Sequence, residues 1–130
     1  MSSSGQLSKA CKYFLGIDFL IGLFFGIVFI FFPEFFFTLI NWTTADPVSI
    51  RVLGVAIISL SAGSLIAAFE DYWKEIRAIM EMEVLWLLLA LLTVIFSHIL
   101  FEFPVQAIFI DIILAILLAG FLFFILKERT

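Results

Sequence analysis

Apolar residues in this chain come in runs too continuous for strands that alternate between two faces, and too long for ordinary core helices. Four runs of about 20 residues or more stand out, at about 13–32, 47–69, 79–101 and 104–126, each long enough for a helix to cross a hydrocarbon core of about 30 Å. Polar residues gather between them: MSSSGQLSKACK at the start, NWTTAD after the first run, EDYWKEIR after the second and KERT at the end. The pattern predicts an all-α protein, a four-transmembrane-helix bundle forming a single integral membrane domain over residues 1–130.

The stretch FIFFPEFFF, residues 29–37, interrupts the first run with a proline and a glutamate. Pro33 cannot continue a helix without losing a backbone hydrogen bond, but it suits the first turn of a new one. A glutamate there complements the positive helix end. The expectation is therefore a short interfacial helix over 33–40, with Glu34 in water, Phe35 to Phe37 dipping into the acyl boundary and Trp42 at headgroup level. A kink within one longer span would instead place Glu34 in hydrocarbon, at a cost of about 2.5–3.5 kcal/mol near the bilayer centre. Asp46-Pro47 reads as an N-cap and first helical residue opening the second span, and Glu102-Phe103-Pro104 as a tight turn between the last two.

Composition agrees with the pattern. The chain is 65% hydrophobic and 14% charged, with 18 phenylalanines and a mean hydropathy of +1.26, where soluble domains are about half apolar and about a quarter charged. Orientation follows from the cations. Lys9, Lys12, Lys74, Arg77, Lys127 and Arg129 fall on the side holding both termini, and only Arg51 falls on the other. Both termini are thus expected in the cytoplasm, in a prokaryotic cytoplasmic membrane. The first run exceeds a signal-peptide core and no A-x-A site follows it, so it reads as a span preceded by a polar, disordered tail. The lone Cys11 excludes an internal disulfide and reads as a buried or interfacial thiol, with palmitoylation as the alternative. Asn41-Trp42-Thr43 fits the glycosylation pattern but lies too near the membrane to be a good acceptor.

In lipid, small residues bring helices together by letting backbones approach. Asp18, Gly22 and Gly26 share one stripe of the first span, and Asp111, Ala115 and Ala119 repeat that spacing in the fourth. The second span offers Ala56, Ser59, Gly63 and Ala67 on one face and Gly54, Ser61 and Ala68 on another, which predicts a central position. The third presents Glu83, Trp86, Ala90, Thr93 and Ser97 at helical spacing. Asp18 falls about 8 Å deep at 1.5 Å per residue, close to the depth of Glu83. Two polar layers result: Asp18 with Glu83 near the cytoplasmic side, and Arg51 paired with Asp111, with His98 beside them, near the outer side. Ionisable groups in a membrane suggest function, so Asp18, Glu83, Arg51, Asp111 and His98 are the candidate sites. The opposing readings are a structural ion pair for Arg51 and Asp111, a satisfied histidine for His98, a helix-end carboxylate for Glu83 and a hydrogen-bonding group for Asp18.

The order FFPEFFFTLINW, RVLGVAIISLSAGSLIAA and EVLWLLLALL resembles small prokaryotic four-helix membrane proteins of the DoxX-like and BphX-like kind. The shared features are a proline after the first span, here Pro33, and an R-x-x-G start to a small-rich second span, here Arg51 and Gly54. The resemblance covers about residues 13–126. It implies the four-helix fold and, for some members, a link with oxidoreductase or catabolic systems; no catalytic residue comes with it. The residues themselves offer no metal-site spacing, nucleophile–base pair, phosphate-cradling loop or basic nucleic-acid surface. Neither a cofactor nor a catalytic residue is expected. The leading expectation is a non-enzymatic accessory or self-associating membrane component whose partners are the lipid bilayer and a second copy or a membrane protein, with no nucleic acid. The alternatives are a proton- or ion-coupled small transporter using Asp18 and Glu83, and a lipid- or quinone-binding membrane protein.

Overall fold

A computed structural model describes residues 5–43, 46–101 and 103–129. Five helices follow one another: α1 (Lys9–Phe31), α2 (Pro33–Ile40), α3 (Pro47–Ala68), α4 (Trp73–Leu100) and α5 (Ile108–Glu128), the last entered through a 3₁₀ turn at Val105–Ala107. All but α2 are long and apolar enough to cross a membrane, and the chain is an integral membrane protein. The helix ends have local causes. Ser8 caps α1 by accepting from the Cys11 amide at 3.2 Å, and Asp46 caps α3 by accepting from the Val48 amide at 3.1 Å. Pro33 and Pro47 open α2 and α3 from the first turn. Asn41 closes α2 in the left-handed conformation, at φ 59°.

The short helix after the first span is present, with Glu34 and Phe35 exposed as expected. Phe36 differs from expectation: it turns inward and stacks edge-on against Phe29, ring centroids 4.7 Å apart. Trp42 likewise packs between Phe37 and Phe103, so it closes the bundle rather than only marking a depth. α4 starts about six residues before the predicted third span, because Glu75 accepts from the Tyr72 amide at 3.2 Å and carries the helix out to Trp73.

α1 and α3 form the most intimate pair. A Cβ placed at Gly54 would lie 2.8 Å from the Gly26 carbonyl oxygen, and one at Gly22 would overlap the Ser61 hydroxyl. Only glycine permits that approach. One antiparallel register runs the length of the pair, from Asp18 beside Ser64, through Gly22 beside Ser61, to Arg51 beside Ile30. The buried stripe Asp18–Gly22–Gly26 is thus as expected. On α3 the buried residues are Ile50, Gly54, Ser61, Ser64 and Ala67; of the other expected face Ala67 is buried, while Ala56 and Ser59 are exposed. Ala115 and Ala119 of α5 are also exposed, contrary to the spacing argument. The buried stripe of α5 holds Leu117 and Phe121, and neighbouring Gly120 receives the Phe14 ring of α1. Bulky aromatics won that face because Phe14 needed a recess there.

α4 and α5 form the second pair. Two apolar clusters tie the pairs together. One, at the end bearing both termini, centres on Leu7, Cys11, Leu15, Ile76, Met80 and Phe121; the other, at the α2 end, centres on Phe29, Phe36, Ile40, Ile50 and Ala107. Residues 5–8 are ordered, unlike the expected tail: Gln6 bridges to Tyr72, the Leu7 amide donates to the Asp71 carbonyl at 2.8 Å, and Ser8 donates through its amide and hydroxyl to Glu128 at 3.0 and 2.8 Å. The earlier part of that tail, residues 1–4, and Glu102 of the expected turn lie outside the described residues. Cys11 is fully buried beneath this strap, in line with a structural thiol.

Candidate functional site

Between the two helix pairs lies a cavity of about 830 Å³, within the roughly 300–1,000 Å³ of small-molecule sites. It runs from Asp18 to Phe29 along α1 and from Glu83 to Ser97 along α4, or roughly 16–21 Å at 1.5 Å per residue. The two apolar clusters close its ends. Its flank is open between α3 and α4, where Leu53, Leu85 and Leu89 line it and remain exposed.

The lining is mostly aliphatic and aromatic, and its polar groups are unevenly placed. Asp18, Ser61 and Glu83 meet at the end nearer the termini. The α1–α3 register brings Ser64 against Asp18, where its hydroxyl donates to the carboxyl Oδ2 at 2.6 Å. Glu83 enters from α4, is 2% exposed, and makes no hydrogen bond among the described residues. It is close enough to Asp18 for the two carboxyl groups to interact through their charge. Further along, Thr93 and Ser97 line the cavity, but their hydroxyls donate to carbonyls one turn back in α4, at 2.8 and 2.7 Å. Their donors are thus spent on the helix itself. The cavity therefore has one acidic end and a long apolar body, and among the described residues no lysine, arginine or histidine lines it.

The inner layer expected from depth, Asp18 with Glu83, is brought together. The expected outer pair is not. Arg51 donates through Nε to the Ile30 carbonyl at 3.1 Å and lies 3.9 Å from Glu34, with its side chain 47% exposed. Asp111 instead faces His98, Oδ2 to Nε2 at 3.1 Å, while the His98 Nδ1 lies 3.3 Å from the Phe103 carbonyl. Among the described residues, His98 Nε2 and Asp111 Oδ1 have no hydrogen-bond partner. The reason is angular. Arg51 and Asp111 have similar depths, but the short turn between α4 and α5 sets Asp111 beside His98, and α2 offers Arg51 a nearer carboxylate.

Sequence reasoning missed Ser64, which lies three residues from Ser61 and so on the same face, and missed Glu128, whose partner is 120 positions away. Among the described residues no group of three or more histidine, cysteine or acidic side chains is placed to hold a metal ion. No family model, curated protein or solved structure matches this chain.

Proposed function

We propose that this integral membrane protein is a non-enzymatic component of a prokaryotic cytoplasmic membrane that holds a lipid-like amphiphile between its two helix pairs. The observation that carries the reading is the cavity: about 830 Å³, apolar along its body, polar at one end and open on its flank. An apolar molecule in the bilayer gains little from entering a merely greasy groove, since lipid tails already solvate it. An acidic end gives such a molecule a reason to stay. The six cations at that end, against Arg51 at the other, support a reading with both termini in the cytoplasm. Holding a membrane-soluble molecule for a neighbouring protein is an accessory role, and it agrees with the resemblance to DoxX-like and BphX-like proteins carried by Pro33, Arg51 and Gly54.

The test is native mass spectrometry of the protein released from nanodiscs, with Ala90→Phe as a variant that fills the cavity from α4. The wild type is expected to retain an amphiphile and the filled variant to lose it while keeping its helical signal. Equal retention by both, or none by the wild type, overturns the reading. Flux across proteoliposomes that depends on Asp18 would replace holding by ion- or proton-coupled transport.

A further inference from the structure

The acidic end of the cavity specifies more than an apolar occupant. Glu83 is nearly fully buried, is directed at the cavity and has no hydrogen-bond partner among the described residues. A carboxyl group left so in a low-dielectric interior costs free energy unless something donates to it. Asp18 uses one oxygen to accept from Ser64 and faces the same space. Ser61 adds a hydroxyl oxygen at the same end. Two cations of the same end are paired with other carboxylates: Lys12 with Asp71 at 2.6 Å and Arg77 with Glu81 at 3.0 Å. The missing complement is a compact group with several donors and a positive charge.

We infer that the occupant is a long-chain primary amine without a phosphate group, its ammonium held by Glu83, Asp18 and Ser61 and its tail lying along α4 toward Phe29 and Trp42. An ammonium has three donors and no acceptor, matching three acceptors that come from three different helices. A phosphate would meet two carboxyl groups and no cation in the lining. A quinone head would bring only acceptors, and Ser61 is the one hydroxyl donor lining the cavity beside the two carboxyl groups. The apolar body, roughly 16–21 Å long, is comparable to one leaflet of a core about 30 Å thick, so the tail can lie parallel to the lipid chains it left.

This inference rests on the cavity being a binding site, and the experiment separates the two. Dodecylamine, dodecyltrimethylammonium, dodecanol and dodecyl phosphate are each added to the protein in phosphatidylcholine nanodiscs. Retention is read by native mass spectrometry against empty discs. Dodecylamine is expected to bind about tenfold or more tightly than dodecanol, as charge-assisted hydrogen bonds predict, and dodecyl phosphate least. Glu83→Gln is expected to lower dodecylamine binding by a similar factor and so to narrow its advantage over dodecanol. Equal binding of all four by the wild type overturns the amine assignment and leaves the cavity reading standing. Binding of none above empty discs overturns both. Because the head-group comparison is made on the wild type, it does not depend on the variant folding.

Discussion

Replacing Gly54 by alanine tests the close pairing on which the cavity wall depends. The new Cβ would sit 2.8 Å from the Gly26 carbonyl oxygen, 2.9 Å from Ile30 Cγ1 and 3.0 Å from Phe29 Cβ. Ordinary contact begins at about 3.4 Å, so the oxygen must move by about 0.6 Å. Ile30 can turn its side chain, but the oxygen belongs to a helix backbone and cannot yield without moving α1. Overpacking of this kind typically costs about 1–3 kcal/mol. It outweighs the gain of about 1 kcal/mol that alanine brings to an unconstrained helix position. The difference is an expected net loss of up to about 2 kcal/mol. Gly16→Ala is the control, because nothing lies within 4 Å of a Cβ there; it should be neutral or stabilising. Reversible unfolding in mixed micelles, followed by tryptophan fluorescence and circular dichroism, measures both. If Gly54→Ala proves as stable as Gly16→Ala, the α1–α3 backbones are not in contact at this point and the register argument fails.

Other consequences are open to measurement. Ser64→Ala removes the donor to Asp18 at 2.6 Å and should cost about 1–3 kcal/mol, the usual penalty for a buried acceptor left alone; an unchanged unfolding curve would contradict the bond. A double-mutant cycle on Arg51→Gln and Asp111→Asn should be additive within about 0.5 kcal/mol, whereas His98→Gln with Asp111→Asn should show coupling of about 0.5–3 kcal/mol. Reversal of that order would restore the pairing expected from depth alone. At the start of α3, the Ser49 hydroxyl and the Val48 amide hold the Asp46 carboxyl below its ordinary range. The folded state therefore binds this proton less readily than the unfolded chain, so the cap contributes fully above about pH 4. The contribution is lost as pH falls through the lowered value. Carboxyl NMR titration should show Ser49→Ala moving that loss to higher pH; an unmoved curve would exclude the hydroxyl as the cause.

Much of the architecture was legible because membrane insertion is decided locally. Each residue adds its own transfer free energy, so a run of about 20 apolar residues declares a span wherever its neighbours later settle. Pro33 and Pro47 announced helix starts for an equally local reason, since a proline lacks the amide that a helix interior needs. The stripe of Asp18, Gly22 and Gly26 was readable from helical period alone. The same period misled for Ala115 and Ala119, because in lipid an exposed alanine and a buried one cost nearly the same, and packing of Phe14 on Gly120 chose the other face.

What the chain determined by itself is therefore the number of helices fit to cross, their approximate limits and an expected depth for each charged group. Depth is one coordinate of three. Which helix faces which, and at what angle, arose only when the glycines of α1 and α3 let two backbones touch while α4 and α5 paired separately. That arrangement gave Asp18 a serine, gave Arg51 a carboxylate on α2 and gave Asp111 a histidine. It also left the space between the pairs. A cavity belongs to no residue and has no period, so nothing in the order of amino acids marks it until the helices that bound it are in place.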